Sequence, residues 1–250
     1  MVNIKYSGKD TMKQLAMILV IMQFALGQQT KEGVPYSQIH GLGDNYHTIT
    51  LPQIDRDALL EEDMYREMGT PYRYGYKHEV HYTPENSGTW SETADGGRMW
   101  QGRFISEDAY AISFEYEKFH IPKGGGELYV YTPGYEMING AYTHLNNTKH
   151  RNFSTPLIKG DTAIIEYYQP AGVAEEFSLQ IIEIIHDYRD IMDFSGTGRD
   201  WECGVNVICE TEVAYQGAIN SVAFMDMGGF ICSGAMVNNV RQDLTPYFLT

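Results

Sequence analysis

The chain has 250 residues, of which 43% are hydrophobic and 13% aromatic, and it carries a formal net charge of -15. That apolar fraction supports a packed core and excludes wholesale disorder, and the length allows one large domain or two modest ones. So acidic a chain lacks the clustered Lys and Arg that a phosphate backbone requires, so nucleic acid is not an expected partner.

The first element in chain order is an export signal. Lys5, Lys9 and Lys13 precede "LAMILVIMQFAL" at 15–26, a largely apolar run of 12 residues, too short to span a bilayer and suited to the core of a signal peptide. Ala25 and Gly27 place small residues at -3 and -1, so cleavage is expected between Gly27 and Gln28. Met12-Lys13 makes a more compact signal start than Met1. The mature protein is therefore expected outside the cytoplasm, secreted or periplasmic, with no membrane contact once the signal is removed.

Residues 28–71 read as a leader with one short helix. Leu59, Leu60, Met64 and Met68 fall near helical spacing, Asp55 is placed to cap that helix and Gly69 to end it. From about residue 72 the period becomes strand-like. "YRYGYKHEVHYT", "GRMWQGRFISE", "AYAISFEYEKFHI", "ELYVYTP", "TAIIEYYQP" and "EFSLQIIEIIHDYRD" follow one another with turn signals between. "PKGGG" at 122–126 reads as a hairpin turn. Short strands without long helical patterns predict a mostly β fold, an antiparallel β-sandwich of jelly-roll type over 72–190. Residues 191–202 read as a linker, and a new strand set occupies 203–250: "CGVNVICE", "GAINSVAFM", "GGFICSGAMVNN" and "TPYFLT". Tyr247, Phe248 and Leu249 have the composition of a buried strand.

Few residue constellations carry chemistry. His78 and His81 in "HEVH" have the wrong spacing for a helical zinc site and point to opposite faces of a strand, so they are expected as solvated strand histidines and no metal site is expected. Asn146 ("NNT") and Asn152 ("NFS") fit the glycosylation acceptor pattern. Ser233 in "CSGA" is no nucleophile elbow. The aromatics of 72–142 suit core and cross-strand pairs better than a sugar platform. No set of residues makes a nucleophile–base pair, so no catalytic residue and no cofactor are expected within the chain. The three cysteines, Cys203, Cys209 and Cys232, all fall in the last 48 residues, and an odd number in an exported protein points to partners elsewhere.

The last strand set resembles the start of the catalytic domain of lysyl-endopeptidase-like serine proteases. In that family a Cys-x5-Cys opens the mature domain, as Cys203 and Cys209 do here. A Cys-Ser-Gly-small-Met-Val-Asn-Asn element follows, matched by Cys232 to Asn239, and then "YFLT", matched by Tyr247 to Thr250. The resemblance implies the first strands of a chymotrypsin-like β-barrel at 203–250, stopping a few residues before the catalytic His. It implies that Cys203, Cys209 and Cys232 pair with cysteines beyond residue 250, Cys232 with the one after that His. It implies protein or peptide substrates cleaved by a Ser-His-Asp mechanism without cofactor, and a sandwich acting as a prodomain in contact with its own catalytic domain. The chain has no Lys after Lys159, so the linker offers Arg199 instead, and maturation is expected between Arg199 and Asp200. The alternative is a secreted β-sandwich binding module for carbohydrate or protein.

Overall fold

The computed structural model describes residues 30–42, 46–193, 215–241, 243, 245 and 247–250. Gly27, Gln28, Arg199, Asp200, Cys203 and Cys209 lie outside the described residues.

Two sheets face each other across one core. The first contains β1 (Thr48–Thr50), β4 (Thr89–Glu92), β5 (Arg98–Ile105), β7 (Glu127–Tyr131), β8 (Ile138–Tyr142) and β10 (Thr162–Gln169). Its order is β1-β5-β10-β7-β8, with β4 sharing the outer edge of β5. The second runs β3 (Gly75–Tyr82), β11 (Ser178–Asp187), β6 (Ala111–His120) and β9 (Phe153–Lys159). Every pairing is antiparallel except β1 with β5, where Thr48 lies opposite Arg103. The fold is mostly β with antiparallel sheets, and no sheet closes into a barrel among the described residues.

The two-residue period of a strand explains the layering. On β10, Ala163, Ile165 and Tyr167 enter the core between the sheets, with Trp100 and Phe104 from β5 and Phe114, Ile181 and Ile184 from the opposite sheet. Ile164 and Glu166 point the other way, and both are nonetheless buried. What buries them is the stretch expected to be a leader. A short helix α1 (Tyr36–His40) lies on this outer face, and Ser37 reaches Glu166 through both its amide and its hydroxyl. Lys31 adds two backbone hydrogen bonds with Ala141 at 3.1 and 2.8 Å. The segment from 30 onward is thus part of the sandwich.

Other expectations fare unevenly. Helix α2 (Arg56–Met64) forms, and the Asp55 carboxylate accepts from the Ala58 amide at 3.0 Å, but only Leu59 of its apolar set is buried and the helix stops before Gly69. "PKGGG" is not a hairpin turn: β6 and β7 belong to different sheets, so the stretch crosses between them. Gly126 has φ +102, and a Cβ there would meet the Tyr167 hydroxyl at 2.5 Å, so the run of glycine serves the crossing.

A third sheet follows. "GAINSVAFM" is not all strand: α3 (Gln216–Ser221) precedes β12 (Val222–Asp226). β12 pairs with β13 (Phe230–Val237), which pairs with β14 (Tyr247–Leu249). Gly228 and Gly229, at φ +61 and +87, form a two-residue turn closed by Met227 N–H to Phe230 O at 2.8 Å. Two successive positive φ values are what the favoured hairpin turn demands, and glycine meets them without strain. The strand at Tyr247–Leu249 forms, but it is not buried: Tyr247 is 53% and Leu249 67% exposed.

Candidate functional site

The third sheet and the surface that carries it hold the residues singled out by sequence. Cys232 is a free, half-buried thiol on β13. Its Sγ lies 3.5 Å from the Thr250 hydroxyl, which in turn donates to the Ser233 carbonyl at 3.4 Å. Antiparallel pairing of β13 with β14, Ala235 opposite Leu249, brings the two "motif" strands together across 18 residues of sequence. Ser233 is exposed and has no histidine beside it among the described residues.

The hairpin tip 226–231 rests on the sandwich. A two-residue strand β2 (Tyr72–Arg73) pairs with β13, Arg73 opposite Phe230 and Tyr72 opposite Ile231. The Gly229 carbonyl accepts from the amides of Tyr74 and Gly75 at 2.9 and 3.0 Å. The Tyr74 hydroxyl donates to Asp226 Oδ1 at 2.7 Å, and Ile231 packs on the cluster of Tyr74, Ala111, Leu157, Ile185 and Ile191. Burial first, and the Asp226 charge second, push the Tyr74 phenol up, so it remains a donor.

β2 is held in place from behind. Asp63, whose side chain is 7% exposed, accepts from Arg73 Nε at 2.7 Å, Arg189 Nη2 at 2.5 Å and the Tyr188 hydroxyl at 2.7 Å. Burial works to raise its pKa, but the hydrogen bonds from Arg189, Tyr188 and Arg73 outweigh it and hold the carboxyl below the usual carboxylate range. Beside this contact, between β9 and β12, lies an open groove of about 870 Å³ whose walls include Glu115, Leu157, Phe224 and Asp226.

Sequence reasoning missed one buried constellation. Ser106 Oγ sits 2.8 Å from His186 Nδ1 and 3.4 Å from His78 Nε2. The expectation of two solvated histidines in "HEVH" therefore fails for His78, which is buried at 6% exposure, while His81 is exposed and bonds Gln180 at 3.1 Å. His78 and His186 lie diagonally across the β3–β11 pair on one face, which explains the difference. Burial first, then His78, depresses the pKa of His186 to about 4. Ser106 and His186 are 1% and 2% exposed, and one hydroxyl serves two imidazoles, so the pair is a buried hydrogen-bond hub; His186 also lines an open groove with Gln53, Arg56, Glu107 and Tyr110. Spacing in sequence gave no signal, because 80 residues separate the partners. Among the described residues no cluster of His, Cys, Asp or Glu could hold a metal, and no helix is long and apolar enough to cross a membrane.

The described residues thus form a two-sheet, mostly antiparallel sandwich with a small hairpin sheet attached at its tip. Residues 197–250 match the family model of the lysyl endopeptidase C-terminal domain. A lysyl endopeptidase from Pseudomonas aeruginosa is 30% identical over 108 residues, which cover 36% of this chain and 22% of that protein. The chain is related to lysyl endopeptidase over these stretches, and it spans about a fifth of that relative's length. No solved structure matches it.

Proposed function

We propose that this chain is the N-terminal portion of the precursor of a secreted serine endopeptidase. In this reading residues 1–27 are a signal peptide cleaved between Gly27 and Gln28, and 28–71 a leader that packs on the sandwich from residue 30 onward. Residues 72–190 form a jelly-roll-like prodomain and 191–202 a linker cut between Arg199 and Asp200. Residues 203–250 are the opening strands of a chymotrypsin-like catalytic barrel. The observation that carries it is the match of 197–250 to the lysyl endopeptidase model, coincident with a separate hairpin sheet in which the two motif strands meet. The contact between Cys232 Sγ and the Thr250 hydroxyl supports a disulfide from Cys232 to a cysteine shortly beyond Thr250. Cys203 and Cys209 take partners further on.

The activity belongs to the complete gene product: hydrolysis of peptide bonds in protein substrates by a serine nucleophile, with no cofactor. The test secretes that product and measures cleavage of lysyl- and arginyl-peptide amides together with labelling by a serine-reactive fluorophosphonate. Cleavage abolished by the label supports the reading; secretion of a folded product with neither cleavage nor labelling ends it. The alternative is a secreted binding module for carbohydrate or protein; Trp100, Phe104, Phe114, Tyr116, Tyr129 and Tyr142 are buried and could not serve it, and of the 72–142 aromatics Tyr72, Tyr76 and Tyr110 are exposed.

A further inference from the structure

The hairpin tip meets the sandwich at a surface whose construction is unlike a chance contact. β13 has two edges. β12 covers one at 231–235; β14 covers the other at 235–237, and β2 covers that second edge at 230 and 231. An unpaired strand edge is a template for any other chain, so capping it matters for a small exposed sheet. The cap is prepared in advance: Arg73 is fixed by Asp63, Glu62 and the Leu59 carbonyl, and Tyr72 by Arg189, whose guanidinium lies 4.9 Å from its ring. A surface fixed in this way loses little freedom on binding.

The fit of backbone to backbone is close. Gly75 and Gly229 face each other so tightly that a Cβ on Gly229 would stand 2.9 Å from the Gly75 carbonyl oxygen. Arg66 reaches from beyond α2 to within 5.1 Å of the Phe230 ring. In return, Ile231 covers an apolar patch of Tyr74, Ala111 and Ile185 on the outer face of the second sheet. Each side therefore hides from water what the other would leave open, a strand edge for an apolar patch.

We propose that Tyr72–Gly75 form a docking edge for the 226–231 hairpin, which captures the C-terminal sheet by strand addition and keeps it bound to the sandwich after the chain between them is cut. This rests on reading 72–190 as a prodomain, and it assigns that prodomain a holding role exerted on the hairpin tip. Main-chain hydrogen bonds supply the attraction, and the Tyr74–Asp226 bond sets the register.

The test uses the full chain with a site-specific protease sequence inserted between Ser195 and Gly196, cut once after folding. The two pieces are expected to co-elute in gel filtration at about 10 µM and to part on dilution or in denaturant, as a small interface of this kind does. Tyr74→Phe, which keeps the ring and removes the donor, is expected to weaken their association about fivefold. Ile231→Asp, on the hairpin side and outside the sandwich, is expected to abolish it. Separation of the unsubstituted pieces at that concentration, or association of both variants as tight as that of the unsubstituted pieces, overturns the proposal. The readout needs no peptidase activity, so a complete gene product that fails to cleave peptides would end the protease reading and the prodomain role while leaving the docking edge itself standing, and pieces that part would end the docking edge and leave the protease reading untouched.

Discussion

His186 and His78 share the Ser106 hydroxyl, and all three side chains are buried. A histidine whose folded pKa lies below its unfolded value of ~6.5 binds fewer protons in the native state, so its contribution to stability is whole above that pH and shrinks as pH falls towards 4. Glu115 and Asp187, whose carboxyls are raised by burial, act in the opposite sense, so the readout is a difference. The urea midpoint of the chain is expected to fall between pH 7 and 4, and to fall less in His186→Gln; parallel curves for the two would remove the histidine from the account. Asp63 works at lower pH. Its depressed carboxyl stabilises the fold in full above its unfolded pKa of ~4, and that contribution is lost as pH falls from there through the lower folded value. Asp63→Ala leaves two arginines without their shared partner, and a loss of about 3 kcal/mol is expected in equilibrium unfolding at pH 7. The two glycosylation triplets also separate at this scale. Asn146 is 6% exposed and its Oδ1 accepts from the Thr143 amide in a capping box, whereas Asn152 is exposed. In a glycosylating host one glycan is expected, at Asn152, lost in Asn152→Gln and kept in Asn146→Gln; intact-mass measurement decides it.

Helix α1 has five residues, too few to persist alone, and it stands because Glu166 waits beneath it. The Glu166 carboxyl receives the Ser37 amide at 3.2 Å, the Ser37 hydroxyl, Gln101 Nε2 at 3.0 Å and the Tyr131 hydroxyl at 2.7 Å. Ser37→Ala removes the shortest of these and leaves a buried carboxyl under-satisfied, so a loss of about 1–3 kcal/mol is expected, with faster proteolytic trimming of residues 30–42. Unchanged trimming would show that the Lys31–Ala141 backbone pair alone holds the segment. The same element shows what local pattern can and cannot reveal. Alternation at 98–120 and 162–187 is visible because each strand buries one face against its partner sheet, and Asp55 is visible as a cap because its partner is three residues away. Ser37 and Glu166 are 129 residues apart, and a polar leader pattern carries no mark of a buried acceptor on a distant strand. "PKGGG" carries turn chemistry that suits a sheet-to-sheet crossing as well as a hairpin, so composition could not choose between them. β2 is two residues long and pairs with a strand more than 150 residues away, below the length at which a period can be read.

At the scale of the molecule the two regions differ in what protects them. The sandwich buries Trp100, Phe104, Phe114, Tyr116 and Ile184 almost completely in a core shared by both sheets. The third sheet has no such second layer among the described residues: Val222, Phe224, Tyr247 and Leu249 are 53–67% exposed, and its hold on the sandwich is confined to the hairpin tip. The family-model match at 197–250 includes this under-covered sheet, and the motifs "CSGAMVNN" and "YFLT" are legible because each is a contiguous run of sequence, whereas the contacts around them are not. Local opening free energy follows buried apolar contact, so native-state hydrogen exchange should divide the chain in two. Amides of β5, β6, β10 and β11 are expected to exchange through global unfolding, and those of β12 and β14 orders of magnitude sooner. Phe230 and Ile231 should fall between, because β2 pairs with them and the sandwich covers Ile231. In Tyr74→Phe those two amides should approach the rate of β14 while the sandwich strands stay unchanged. Equal protection across all three sheets would mean that the hairpin sheet is folded into the sandwich as one cooperative unit, and that the docking edge at Tyr72–Gly75 is not a separable contact.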